Sequence, residues 1–302
     1  MSAVEKDFLE RLAAVNTWKR GDERAPHKPL LLLKVLSRIQ RGEARLVRFS
    51  DIEYDLRRLL EEFGPSRKSY HPEFPFWHLQ SDGLWEVPGN ELLELKKSGK
   101  SPSPRALRDS EAEGGLPERY DGLLRKRPAL IADAARRILE VHFPGSMHED
   151  ILEATGLDLG ATEPAAARAQ VRDPAFRAQV LMAYSNRCAV CGFYSIMDGR
   201  SYGIEAAHVK WHSHAGPSTV ANGLGLCILH HKAFDRGVLG LSDDDCVLVS
   251  ARFSGNEEAE RHFLPLAGRE LLGPQPGQPR PAPEFKRWHR KNCFRGPERG
   301  VA

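Results

Sequence analysis

No stretch of the sequence is long and apolar enough for a membrane span, and no charged-then-apolar leader opens it. Neither a membrane protein nor a secreted one is expected, and the cytoplasm is the default location. Cysteine is scarce, five in 302 residues, and the odd count argues against a disulfide framework. Charge of one sign is lacking as well, since 44 Lys and Arg face 41 Asp and Glu for a net of +3. The molecule is no polycation, so any nucleic-acid surface has to come from where the cations stand. What is present is length enough for two domains of ordinary size, each with its own core. Three of the cysteines, Cys188, Cys191 and Cys227, also fall in one third of the chain, away from Cys246 and Cys293. That clustering suits a reducing compartment and a metal site.

The pattern of apolar residues predicts an α+β protein in two parts. Val4, Phe8, Leu12 and Val15 recur at steps of four and three, one face of a helix over residues 4 to 18. His27 to Ile39 is apolar on most sides, with Pro29 tolerable only near its start, and reads as a helix deep in a core. Ser50 with Glu53 forms a capping-box signature ahead of Ile52, Leu56, Leu59 and Leu60, and Gly64-Pro65 stops that third helix. Phe76 to Leu79 and Leu84 to Val87, separated by Gln-Ser-Asp-Gly, then predict a β-hairpin, which makes the N-terminal part winged-helix-like. Residues 96 to 118 are rich in Lys, Ser, Pro, Gly and Glu and predict a mobile linker. Helices over 129 to 142 and 149 to 155 finish this module. The Ala/Arg-rich stretch 160 to 178 leads into the second, giving domains of 1–160 and 161–302. Near the end, Pro274 to Pro283 reads as an extended linker and residues 285 to 291 as a basic tail.

Cys188-Ala-Val-Cys191 and Cys227-Ile-Leu-His230 are two knuckles, together offering four soft ligands to one tetrahedral zinc. A lone CxxC is weak, because buried cysteines are often only small apolar residues. Two half-sites, the second with a polar His at ligand spacing, are far harder to obtain by chance. Cys188, Cys191, Cys227 and His230 are therefore the expected structural zinc ligands.

Between the knuckles stand Ile204-Glu205-Ala206-Ala207-His208 and Asn222-Gly223-Leu224-Gly225-Leu226-Cys227, and His231 follows His230 directly. From Cys188 to about residue 250, with Lys232-Ala-Phe-Asp235-Arg-Gly included, the chain resembles the HNH nuclease family and its ββα-metal core. The resemblance implies His208 as general base, Asn222 as the residue orienting the loop and the base, and His231 as ligand to a catalytic Mg2+ or Mn2+. Hydrolysis of a phosphodiester needs such parts: a base for water, a cation for the phosphoryl charge, and a group that fixes the base. Many members carry Asp immediately before the first His, where this chain has Ala207. Glu205 is the nearest carboxylate, although three residues is an odd step in a strand and turns it away from His208.

In the N-terminal part, Arg20-x-x-x-Arg24-Ala-Pro-His27-Lys28-Pro29-Leu and Tyr70-His71-Pro72-Glu-Phe74-Pro75-Phe76-Trp77, followed by Asp82-Gly83-Leu84-Trp85, are unusual strings. Over most of residues 5 to 155 they are similar to the sulfur-binding domain of phosphorothioation-dependent restriction endonucleases, in which this module precedes an HNH domain. The resemblance implies an apolar cup for the non-bridging sulfur, with His71, Pro72 and Pro75 as its candidates, and Arg24 and Arg105 as cations for the phosphate or a guanine edge. Sulfur is larger and softer than oxygen and costs less to dehydrate, so an apolar cup favours it. Phe74, Phe76 and Trp77 are expected in the core. The function implied is a restriction endonuclease that recognises phosphorothioated double-stranded DNA and cuts nearby; a homodimer stays open. A nuclease reading another mark or unmodified DNA, and a zinc-containing DNA-binding protein that does not cut, are the alternatives.

Overall fold

The computed structural model describes residues 1–15, 26–96, 100–159 and 174–300. The chain divides into two compact units, Met1–Ala161 and Thr162–Ala302. No helix among the described residues is long and apolar enough to cross a membrane.

The first unit is built around α2 (His27–Gln40). Its Leu30 to Leu33, Val35, Leu36 and Ile39 are all buried, because five other helices of the unit pack around it. Pro29 falls in the first turn, where its missing amide costs nothing. α1 (Ala3–Ala13) starts on a capping box in which Ser2 accepts from the Glu5 amide and the Glu5 carboxylate accepts from the Ser2 amide. Phe8, Leu12 and Val15 are buried, whereas Val4 is exposed.

β1 (Val47–Arg48) pairs antiparallel with β2 (Glu113–Gly114) and leads straight into α3 (Phe49–Phe63). The expected Ser50 capping box does not form: the helix begins one residue earlier, and the Ser50 hydroxyl bonds Asp51. The Phe49 amide donates instead to the Ala112 carbonyl beside the β1–β2 pair, at 2.8 Å. Gly64 ends the helix, and a Cβ there would strike the Leu60 carbonyl.

The expected β-hairpin is absent, and with it the wing. Residues 73 to 78 form α4 (Glu73–His78), which runs on as a 3-10 turn, Leu79–Asp82, stopped by Gly83 at φ 67°. Leu84–Val87 forms no strand and makes a single bridge, Glu86 to Gly115. The reason lies in the spacing: Phe76 and Leu79 are both fully buried, a helical step of three, and Phe76 meets Phe49 and Trp85 edge-on at 5.2 and 5.6 Å. Residues 96 to 118 are likewise no plain linker. They hold α5 (Pro104–Asp109), capped by Ser103 on the Ala106 amide, and then β2, with Leu107, Ala112 and Leu116 buried. α6 (Glu118–Lys126), α7 (Pro128–His142) and α8 (His148–Thr155) complete the unit.

In the second unit α9 (Pro174–Ala183) lies on one face of a hairpin made by β5 (Ile204–His208) and β6 (Gly223–Cys227). A small pair, β3 (Ile196–Met197) and β4 (Arg200–Ser201), precedes it. Gly223 and Gly225 are needed in β6, because a Cβ on either would drive into Val180 and Phe176 or Tyr184 of the α9 face. α10 (Ile228–Asp235) follows β6 and packs on both hairpin strands and on β7 (Leu239–Leu241), which pairs with β8 (Val247–Val249). After α11 (Glu257–Phe263) comes the proline-rich segment, which is pinned rather than free: the Gln275 amide donates to the Ala183 carbonyl at 2.7 Å, and Arg280 pairs with Asp245 and Glu270.

The basic tail is in fact α12 (Pro283–Asn292), an integral helix. Lys286 is buried on Asp245 at 2.6 Å, and Arg290 bonds Asp243 and the Leu241 carbonyl. Trp288 and His289 are buried too, the latter stacked on Phe234 at 3.6 Å. Lys286 and Arg290 thereby tie the helix to the Asp243–Asp245 turn.

Candidate functional site

The two cysteine knuckles meet. Gly192, at φ 77°, turns the chain after Cys191 so that its amide reaches the Cys188 carbonyl, and the Ala189 amide ties the turn to Gly225 of β6. The ligand atoms of Cys188, Cys191, Cys227 and His230 all lie within 4.8 Å of one another. His230 Nδ1 is 3.5 Å from Cys188 Sγ and 3.3 Å from Cys227 Sγ. A tetrahedral zinc with bonds of about 2.0 to 2.3 Å sets its ligand atoms roughly 3.5 to 3.8 Å apart, so the cluster fits such an ion. The other ring nitrogen of His230 faces the His262 carbonyl at 3.4 Å, the usual anchor of a metal-binding imidazole. Hydrogen bonds from the Cys191 and Cys227 thiols pull the Cys188 thiol down towards thiolate, and that first thiolate pushes Cys227 up. A cation among them reverses the second effect.

The β5–β6 hairpin presents the other candidates on two faces. Glu205 points to α10, where its Oε2 is 2.6 Å from His231 Nδ1. On the far side of that ring Nε2 lies 3.3 Å from Asp235 Oδ2, and the second Asp235 oxygen accepts the Trp211 indole N–H at 2.9 Å. Burial opposes the His231 imidazolium, but Asp235 and Glu205 outweigh it and hold the pKa up at about 9. His208 turns to α9 instead. It stacks on Phe176 at 3.9 Å, and its Nε2 meets the Ser218 hydroxyl at 3.3 Å. Strand alternation is the cause of this split, and it is what lets Glu205 reach His231.

Asn222 is fully buried and spends its amide on backbone. Its Oδ1 accepts from the Lys210 amide at 2.8 Å, and its Nδ2 donates to the Lys210 and Pro217 carbonyls, both at 2.9 Å. It thereby closes the loop that starts one residue after His208. A Cβ at Gly216 would collide with the Lys210 carbonyl and the Asn222 amide, so this close approach needs glycine. Sequence reasoning passed over Asp235 and Ser218. Asp235 had a signal, since it stands four residues after His231 and so on the same helical face; a loop serine has none.

In the first unit the expected cup is inverted. Pro72, at the N-cap of α4, and Pro75, in its first turn, are both buried. Phe74, expected inside, is instead 37 % exposed, while Phe76 is in the core as predicted. His71 is half-exposed and stacks on Phe74 at 4.7 Å, and Lys96 stands 5.0 Å over the same ring. Arg105 projects from α5 with 84 % of its side chain exposed, against Asp109. Arg24 lies outside the described residues, as does Arg20. Lys28 is spent on Asp82 at 2.5 Å.

Comparison with known proteins agrees with both halves. Residues 5–160 match the family of ScoMcrA-like DNA sulfur-binding domains, and residues 188–242 match the HNH endonuclease family. No curated protein matches the chain. Among solved structures, the sulfur binding domain of ScoMcrA complexed with phosphorothioated DNA is 29% identical, with 50% of this chain and 95% of that one covered and a TM-score of 0.44. The corresponding domain of SprMcrA, also complexed with phosphorothioated DNA, is 28% identical over 52% and 96%, at 0.42. The Type IV phosphorothioation-dependent restriction endonuclease ScoMcrA is 26% identical over 50% of this chain and 28% of its own, at 0.41. With more than half its length in the first of these families and the second filling the Cys188-to-Ser242 core, the chain belongs to the ScoMcrA-like DNA sulfur-binding domain family and carries an HNH endonuclease domain behind that reader.

Proposed function

We propose that the chain is a modification-dependent restriction endonuclease that reads phosphorothioated double-stranded DNA with its first unit and hydrolyses a nearby phosphodiester with its second. The observation that carries the nuclease half is that the segment matching the HNH endonuclease family holds His208, Asn222 and His231 on the β5–β6 hairpin and the helix that follows it, with Glu205 beside His231. His208 takes the proton of the attacking water. Asn222 keeps the loop after His208 closed, and with it the base in place. Glu205 and His231 supply one carboxylate and one imidazole, a donor set that suits Mg2+ or Mn2+. When bound there, such an ion stabilises charge on the phosphoryl oxygens. Cys188, Cys191, Cys227 and His230 hold a structural zinc, and the free thiols suit the reducing cytoplasm.

The reader's apolar floor is the exposed Phe74 ring with His71 against it, Lys96 supplying the cation; Arg24 and Arg105 are further phosphate contacts. An oxygen in that place loses water without repayment, at about 1 to 3 kcal/mol, whereas sulfur loses less. The test is cleavage of two otherwise identical duplexes, with and without sulfur, by the full chain in Mg2+ or Mn2+. Cutting of the sulfur duplex alone is expected. Equal cutting of both removes the sulfur reading and leaves a nuclease for another mark; cutting of neither, at any divalent concentration, removes the enzyme.

Asp235 positions His231 from behind, as carboxylates do for metal-binding imidazoles. Asp235→Asn is expected to weaken Mn2+ binding by about 10- to 100-fold in calorimetric titration without DNA. Unchanged affinity would restrict Asp235 to holding Trp211.

A further inference from the structure

Glu73 is 1 % exposed, on an α4 face otherwise given to Pro75 and Phe76. Carboxylates are almost never so buried unless paired, because the ion gives up its water. Here Oε1 takes both available partners, His71 Nδ1 and Lys96 Nζ, each at 3.1 Å. Oε2 has no partner among the described residues. For fold stability alone this is a poor arrangement, since a glutamine or an apolar residue would fill the space without a half-satisfied charge. An acidic first turn does not account for it either, because an exposed acid would serve the helix dipole as well.

The two groups it holds are informative. The His71 ring lies on Phe74 at an interplanar angle of 20°, with its Nε2 tethered by the Ser69 hydroxyl at 3.1 Å, and Lys96 is held over the same ring. A lysine on a loop ordinarily spreads over many rotamers at an entropic cost to any ligand that must order it. One buried oxygen fixes both the imidazole and the ammonium beside an exposed aromatic face.

We propose that Glu73 is a positioning residue of the DNA reader: from inside the fold it locks His71 and Lys96 against Phe74, so that a sulfur-bearing phosphate meets a preformed apolar floor with a cation fixed at its edge. This rests on the sulfur reading of the first unit. It also makes a prediction opposite to simple electrostatics. Removing a carboxylate near a DNA surface should tighten binding to every duplex, because one repulsive charge is gone. Removing a positioning group should instead weaken binding to the sulfur duplex in particular.

The experiment is fluorescence anisotropy of the zinc-loaded full chain with matched sulfur and oxygen duplexes over a KCl series, without added divalent ion. For Glu73→Gln, of nearly the same volume, the expected result is a roughly tenfold loss of affinity for the sulfur duplex, little change for the oxygen duplex, and a salt slope shallower by about one phosphate contact. In combination with Lys96→Met the losses should fail to add, since Glu73 acts partly through Lys96. Tighter binding of both duplexes, or an unchanged ratio, overturns the proposal while parental discrimination keeps the sulfur reading. If the parent itself binds both duplexes equally, the sulfur reading fails and the proposal with it. Should Glu73→Gln not fold, Lys96→Met alone decides: a preserved sulfur-to-oxygen ratio in that variant, at a half-buried loop position, overturns the proposal, and a reduced one supports it.

Discussion

Cys188→Ser is expected to unfold the nuclease unit and leave the reader folded, splitting one calorimetric profile into a lost transition and a retained one. Cys188 is fully buried and packs in the same cluster as Val190, Leu224, Leu226 and Phe234, so the knuckle is part of the core. It joins three elements: the turn after α9, the end of β6 through Cys227, and the first turn of α10 through His230. Structural zinc contributes about 10 to 16 kcal/mol of apparent binding free energy at neutral pH. A domain is stable by only about 5 to 15 kcal/mol, so losing one thiolate ligand removes a share comparable with the whole. Cys246→Ser, at a partly exposed position outside the knuckles, is the control and should change neither zinc content nor melting. One equivalent of zinc in the parent and a melted nuclease unit in Cys188→Ser are the outcomes to look for. A parent with less than half an equivalent, or a Cys188→Ser protein that melts like it, would sink the zinc assignment.

The sequence was most legible where chemistry or period left few choices. The apolar run of α2 can only be a helix enclosed by others, and the two knuckles require their ends to meet. It was least legible where a string admits two periods. Phe76, Leu79, Leu84, Trp85 and Val87 are apolar in either reading, and only their burial, with Phe76 and Leu79 both inside at a step of three and Phe76 on Phe49, decides for helix up to Asp82. The same ambiguity inverted the cup: as a loop the string turns its prolines outward, but as the first turn of α4 it buries Pro72 and Pro75 and exposes Phe74. The basic segment 285–291 hides its helix for another reason. The partners of Lys286 and Arg290 lie in the Asp243–Asp245 turn, some forty residues earlier, where sequence proximity does not show them. Glu205 shows the opposite: the odd step from His208 argues against its reaching the ion ligand, yet α10 packs His231 on the Glu205 face and the two meet.

His208→Ala should abolish cleavage while DNA affinity stays close to that of the parent. General-base catalysis contributes about 10² to 10⁴-fold, and His231 cannot take over the role, since it is engaged by carboxylates at both nitrogens. The half-buried His208 ring sits at the end of β5, on Phe176 and beside Ser218, so its removal opens no deep cavity and the hairpin register through Ala207 and Leu224 is kept. Binding is supplied by the first unit and by phosphate contacts, none of which His208 provides. A loss confined to kcat is therefore expected, with KM nearly constant, as for a group that acts only in the transition state. Asn222→Asp is the informative comparison: it sets a carboxylate against the Lys210 and Pro217 carbonyls, and it should lower both melting temperature and rate, because it opens the loop before it touches the base. If His208→Ala cuts as well as the parent, the base lies elsewhere; if it loses binding and cutting together, His208 belongs to the DNA surface and not to the chemistry.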